Sequence, residues 1–161
     1  CRCSITRCVA EASQQPSDVC RRRVDVDCAK IYQAGDLVTS EQHVVVPDIA
    51  GWRTERLHVL PETPYFTLPP DWVCEVLSPS TEDWDRGAKR RIYASAGVAH
   101  LWLVDPRVKL IEAFALTGGQ WLLVGTVSGP EDVRLAPFEA VCFPLSVLWP
   151  LDPPLSASEE A

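Results

Sequence analysis

Three charged residues occupy places where the surrounding pattern calls for apolar side chains. Glu75 lies inside WVCEVL (72–77), and at a strand period of two its same-face neighbours are Val73 and Leu77. A carboxylate there is costly unless it is paired, hydrogen-bonded or bound to a metal. Downstream, winding 85–96 as a helix at roughly 100° per residue gathers Ala88, Ile92, Tyr93 and Ala96 on one face. Lys89 falls inside that sector, while Arg86, Arg90 and Arg91 fall outside it. Upstream, Asp48 follows Pro47 at the end of the apolar run 44–46. Two carboxylates and an ammonium converging from such elements can hold a hard divalent cation beside a phosphodiester: the metal polarises phosphate and activates water, and the ammonium steadies the developing negative charge. Glu75 and Lys89 taken alone also admit a plainer reading. They could form a structural ion pair, with Asp85, four residues before Lys89, as a helical partner.

The elements that must position these residues follow from the same pattern. The helix is expected to begin near Asp83 to Asp85, where Thr81 or Asp83 can cap it, and to stop at Gly97. HLWLVD (100–105) reads as a second buried strand ending in Asp105-Pro106. A strand, helix, strand unit predicts a right-handed crossover and two parallel strands. Before it, 35–39 and 43–46 read as short strands about a polar turn at 40–42. The segment containing Pro61, Pro64, Pro69 and Pro70 can continue neither ladder nor helix, so it should lie over the sheet edge near the acidic strands, a rim for substrate. Residues 110–116 and 121–127 flank Thr-Gly-Gly-Gln, a hairpin signal. A short strand near 140–143 and a turn of helix before Trp149 complete the domain, and the tail 151–161 reads as disordered. His43 and His100 are read as structural, and Cys74 and Cys142 as small buried apolar side chains. The fold class is α+β (α/β): a mixed β-sheet with a flanking helix and a C-terminal hairpin.

Composition narrows the function. A chain of 161 residues with 47% hydrophobic content suits one domain with a real core. No apolar run approaches a membrane span and no secretory signal is visible, so a cytoplasmic protein with no membrane contact is expected. The net charge of −7 argues against tight non-specific nucleic-acid binding, which needs phosphate neutralisation. Contact with DNA would have to be local, through Arg86, Arg90 and Arg91, a group equally compatible with a solvated helix surface. Residues 1–35 form a poorly matched Cys-rich N-terminal segment: Cys1, Cys3, Cys8, Cys20 and Cys28 lie there beside Arg21, Arg22 and Arg23. Their spacing lacks a paired CxxC, so zinc binding is a weak alternative.

The segments VVVPDIAGW (44–52), DWVCEVLSPST (71–81) and DRGAKRRIYASAGVAHLWLVDP (85–106), with the later hairpin, resemble the Uma-type family of restriction endonucleases, a branch of the PD-(D/E)xK nuclease superfamily. The resemblance covers 36–150, which it marks as a restriction-endonuclease-like domain. It implies that Pro47-Asp48 is the PD element and Glu75 the acidic (D/E). Leu77 stands where the superfamily's simplest pattern has lysine, so the lysine's role would pass to Lys89 on the helix. Asp85, Tyr93, Trp102 and Asp105 match positions typical of the family. The implied activity is a metal-dependent endonuclease hydrolysing phosphodiester bonds in DNA. Asp48 and Glu75 would bind Mg (or Mn), Lys89 would complete the catalytic set, and Asp85 and Tyr93 would support it. A homodimer would allow both strands to be cut. The alternative is a catalytically inactive module of the same fold that binds nucleic acid or a protein partner.

Overall fold

A computed structural model describes residues 23–26, 29–33, 36–39, 43–59 and 61–149. The main sheet has seven strands: β1 (Arg23–Val26), β2 (Ala29–Gln33), β5 (Ile49–Arg53), β7 (Trp72–Val76), β8 (His100–Asp105), β9 (Leu110–Thr117) and β10 (Gln120–Ser128), adjacent in that order. Every neighbouring pair is antiparallel except β7 and β8, which run parallel. The parallel pair is the expected crossover, since the helical run between the two strands returns the chain to the same end of the sheet. A three-stranded sheet is formed by β3 (Asp36–Val38), β4 (Val44–Val45) and β6 (Tyr65–Phe66), and a two-stranded one by β11 (Asp132–Val133) and β12 (Phe143–Pro144).

The alternation of side chains along β7 divides the core in two. Trp72 and Cys74 join Trp102, Ile111, Val133, Leu135, Phe143, Leu145 and Leu148, so the C-terminal segment covers that face. Val73, with Leu77 just beyond the strand, joins Leu37, Trp52, Tyr93, Leu101 and Leu103 on the other, where the helix packs. Glu75 has the parity of Val73 and Leu77 and is fully buried, so its carboxylate sits on the helix side of the sheet, as the pattern requires.

The helical run has three parts: α1 (Glu82–Trp84), a π-helical turn (Asp85–Lys89) and α2 (Arg90–Ser95). It starts at Thr81, which makes no side-chain capping bond. At the other end the Gly97 N–H donates to the Ala94 carbonyl (3.1 Å) and the Val98 N–H to the Tyr93 carbonyl (3.0 Å), the paired bonds of a Schellman stop. Gly97 has a φ of +77°, a conformation that costs a Cβ-bearing residue about 1–2 kcal/mol. Gly97→Ala is therefore expected to lower stability by about 1 kcal/mol, read as a shift of the denaturant midpoint at unchanged slope.

Two expectations are refined. The proline-rich stretch is not loop throughout: β6 pairs in parallel with β3, and Phe66 and Leu68 pack against the helix-side core. Asp48 does not end the preceding strand, because β4 stops at Val45 and belongs to the small sheet; Asp48 stands at the entrance to β5 instead. The hairpin about Gly118 and Gly119 and the helical turn Leu145–Leu148 occur as expected, whereas the strand expected near 140–143 is confined to Phe143–Pro144. Strands β1 and β2 fall within 1–35 and continue the sheet beyond β5. Cys1, Cys3, Cys8, Cys20 and Cys28, the turn 40–42 and the tail 151–161 lie outside the described residues.

Candidate active site

The antiparallel register of β5 and β7 pairs Ile49 with Cys74, which brings the entrance of β5 beside the exit of β7. Asp48 and Glu75 meet there. The Asp48 N–H points to Glu75 Oε2 at 3.4 Å, and Asp48 Oδ2 accepts the Val76 N–H at 2.7 Å. Lys89 reaches in from the π-helical turn: its Nζ lies 3.0 Å from Glu75 Oε2, 3.0 Å from Asp85 Oδ1 and 3.1 Å from the Val46 carbonyl. The contact with Asp85 is an ion pair by distance, but Asp85 Oδ1 finds no properly oriented hydrogen-bond donor among the described residues. Tyr93, one turn on, donates its hydroxyl to Glu75 Oε1. All five residues singled out in the sequence thus gather on one side of the sheet.

Charge at the site is unbalanced. Three carboxylates, Asp48, Glu75 and Asp85, surround one ammonium, and Glu75 and Asp85 are almost wholly buried. Burial pushes the Glu75 carboxyl up to about 8; Lys89 and Tyr93 pull it down, and Asp48 and Asp85 push it up again. Asp48 is raised as well, chiefly by burial, against the Val76 hydrogen bond and the Lys89 charge that favour its ionised form. Lys89 is raised despite burial because Glu75 and Asp85 face it. The raised Lys89 and the raised Glu75 pull in opposite directions on one ion pair. The directions agree once all three acids are considered: the lysine keeps its proton, and the surplus negative charge is relieved by protonation of the most deeply buried acid, Glu75.

The donor set decides which cation this surplus suits. It contains carboxylate oxygens and backbone carbonyls and no thiolate or imidazole, a preference for a hard ion. No cluster of three or more metal-ligating side chains converges among the described residues. Magnesium keeps several waters and commonly takes only one or two protein carboxylates, with substrate phosphate completing its shell. Asp48 and Glu75 fit that demand.

Other expected positions serve the fold. Trp102 lies on the opposite face of the sheet, where its Nε1–H donates to the Ala136 carbonyl at 2.7 Å. Asp105 accepts from Arg107, whose Nη2 also lies 2.5 Å from Glu82, tying the end of β8 to the start of the helix. Of the three helix arginines, Arg86 is paired with Glu82 and Glu112 and Arg90 stacks 4.4 Å over Phe114, while Arg91 is exposed. The basic face is therefore largely consumed by structural contacts. Sequence reasoning missed the Val46 carbonyl, the Val76 amide and the π-helical turn. The first two are backbone groups without a side-chain signature. The third inserts one extra residue per turn, a feature frequent at functional sites.

The model of the Uma2 family, described as "Putative restriction endonuclease", matches residues 7–147. The chain belongs to this family. Among solved structures, a "putative nuclease belonging to DUF820" from Anabaena variabilis ATCC 29413 is similar in fold, with a TM-score of 0.62 at 16% identity over 89% of this chain and 75% of that one. No curated protein matches the chain. The Uma2 match begins well before the PD element, at residue 7, and so takes in β1 and β2 as well as the site.

Proposed function

We propose that this Uma2-family chain is a metal-dependent endonuclease that hydrolyses phosphodiester bonds in DNA. The observation that carries the reading is the meeting of Asp48, Glu75 and Lys89 at the exit of β7, with the Lys89 amine 3.0 Å from the fully buried Glu75 carboxylate. The family description and the nuclease of similar fold support it. Asp48 and Glu75 would hold a magnesium or manganese ion. Bound there, the ion would polarise a phosphate oxygen and lower the pKa of a coordinated water.

The chain's own groups do the rest. Lys89 presents a positive charge beside the acids, where it can orient the attacking water and stabilise the negative charge gathering on the pentacovalent phosphorus. Asp85 holds the Lys89 amine from the helix, and Tyr93 fixes the Glu75 carboxylate from below, so neither reactive group has to be ordered when substrate arrives. The Val76 amide does the same for Asp48. Two copies of the chain, each contributing one site, would cut both strands of a duplex. No helix among the described residues is long and apolar enough to cross a membrane, and we place the activity in the cytoplasm.

Incubation of the purified protein with supercoiled plasmid tests the reading. Nicking in magnesium or manganese, none in EDTA, and none by Asp48→Asn is the expected pattern. Metal-independent nicking, or full activity in Asp48→Asn, rejects it. A folded wild-type protein that neither cuts nor gains thermal stability from magnesium would favour the non-catalytic binding module, a reading to which the net charge of −7 and the engaged helix arginines lend weight.

A further inference from the structure

A groove of about 400 Å³ lies beside the carboxylate site. Trp84, Ala88, Arg91 and Ser95 line it from one stripe of the helical run, three and four residues apart, and His43 lines it from the segment before β4. Ala88 immediately precedes Lys89, whose side chain turns inward instead and donates to the Val46 carbonyl at 3.1 Å. The segment 43–46 therefore flanks the groove at one end and the site at the other. Its backbone is fixed at His43, whose carbonyl accepts the Thr39 N–H at 2.9 Å and whose N–H donates to the Thr39 hydroxyl at 3.2 Å.

Two side chains of this lining are exposed and unengaged. Trp84 is 52% exposed, and its indole has no ring contact or hydrogen bond among the described residues. Arg91 is exposed and has no ion-pair partner among them. Their counterparts are committed elsewhere: Trp52, Trp102 and Trp121 donate to the Leu68, Ala136 and Arg90 carbonyls, Arg86 pairs with Glu82 and Glu112, and Arg90 covers Phe114. The groove lining also contains no carboxylate, in a chain whose net charge is −7. It thus offers a flat aromatic face and a free cation, with no acid beside them to repel an anion.

We infer that this groove holds an unpaired nucleotide of the substrate strand, its base stacked on Trp84 and its phosphate at Arg91. An indole stacks on the face of any base, and a guanidinium grips phosphate through paired N–H donors. Seven residues separate the two, about 10 Å along a helix axis, a gap that two long side chains can close on one nucleotide. Bases inside a duplex hide their faces from such a ring, so the groove selects a strand that is locally unpaired. The free cation next to the ring favours this anionic ligand over an apolar protein segment. That the ligand is nucleic acid rests on the nuclease reading; the residues that hold it do not take part in cleavage.

The test measures binding by the full chain in EDTA, using fluorescence anisotropy of a labelled oligothymidylate of about 12 nucleotides. An abasic oligonucleotide of the same length is the control. The oligothymidylate should bind about tenfold more tightly than the abasic strand. Trp84→Ala should reduce it to the abasic level, and Trp84→Phe should recover most of the difference. Arg91→Ala should lower the slope of log affinity against log salt by about 0.7, the share of one phosphate contact on a single strand, while Arg91→Lys keeps it. A blunt duplex should bind Trp84→Ala and wild type alike. Equal binding of the abasic strand, undiminished affinity in Trp84→Ala, or the same loss on blunt duplex would overturn the inference. Absence of any oligothymidylate binding by wild type would overturn it too, and would return the groove to a protein partner. Because binding is read without metal, failure to nick plasmid leaves it standing, whereas a chain that nicks plasmid but ignores oligothymidylate refutes this inference alone.

Discussion

Replacing Lys89 by alanine is expected to reduce magnesium-dependent plasmid nicking by about 10²–10³-fold, the usual effect of losing one charge-stabilising donor from an active site. Lys89 is the ammonium in contact with Glu75 and Asp85, at 3.0 Å from each, and the helix arginines engage other partners. The substitution also leaves buried acids without their counter-charge, and breaking such a pair can cost about 3–5 kcal/mol if the acids stay ionised. Lys89→Met separates the two effects, since it keeps the aliphatic stem and discards only the charge. The nicking rate should fall as far as in Lys89→Ala, while the thermal midpoint in magnesium should fall less. Wild-type cleavage by a folded Lys89→Ala protein would refute the assignment of this residue.

The second large effect links pH, metal and stability through Glu75. Burial raises its carboxyl from the ordinary value of 4.5 to about 8. Between those values the folded chain holds a proton that the unfolded chain has released, so its contribution to stability is complete below 4.5 and is lost as pH rises toward 8. Asp48, raised chiefly by burial, acts in the same sense. His100 acts in the opposite one, because burial, only partly offset by Glu139 and Asp71, holds its pKa below 6.5. Asp71 has its effect only in acid: burial raises it, but the Arg53 amide and Arg56 outweigh that and leave it below 3.8. The informative quantity is therefore the difference between wild type and Glu75→Gln. In EDTA the wild-type midpoint should fall relative to the variant as pH rises from about 5 to about 8. Magnesium should restore the wild type at the upper pH, because a cation that binds the folded state alone stabilises it by mass action. The same addition should leave Glu75→Gln nearly unmoved. Parallel pH curves for the two proteins, or an equal magnesium shift in both, would contradict the placement of the cation at Glu75.

Much of the site was legible because its residues violate local patterns. A glutamate in a strand of Trp, Val, Cys and Leu, and a lysine in the apolar sector of a helix, each contradict the binary code that otherwise governs the segment. Two such violations of opposite sign, on consecutive elements joined by a crossover, already imply a meeting. Tyr93 and Asp85 follow from helical spacing, since residues three and four apart share a face. The strand order near the site was legible for the same reason: WVCEVL and HLWLVD are too uniformly apolar to be edge strands, and the helix between them requires them to be parallel.

What the sequence by itself determined, then, is the chemistry: two oxygen-donor acids and one amine directed into a core, on a strand, helix, strand frame with a turn-closed hairpin after it. Tertiary structure alone decided the spacing. Asp48 faces Glu75 because the register of β5 against β7 pairs Ile49 with Cys74, and register depends on cross-strand packing that no local run encodes. The Lys89 amine stops 3.0 Å from Glu75 on a π-helical turn that the residue types do not announce. A cavity flanked by Gly51, Trp72 and His100 exists only once three strands lie side by side. That the Trp72 indole N–H finds no hydrogen-bond acceptor among the described residues is likewise a fact about neighbours, which the order of residues along a chain does not contain.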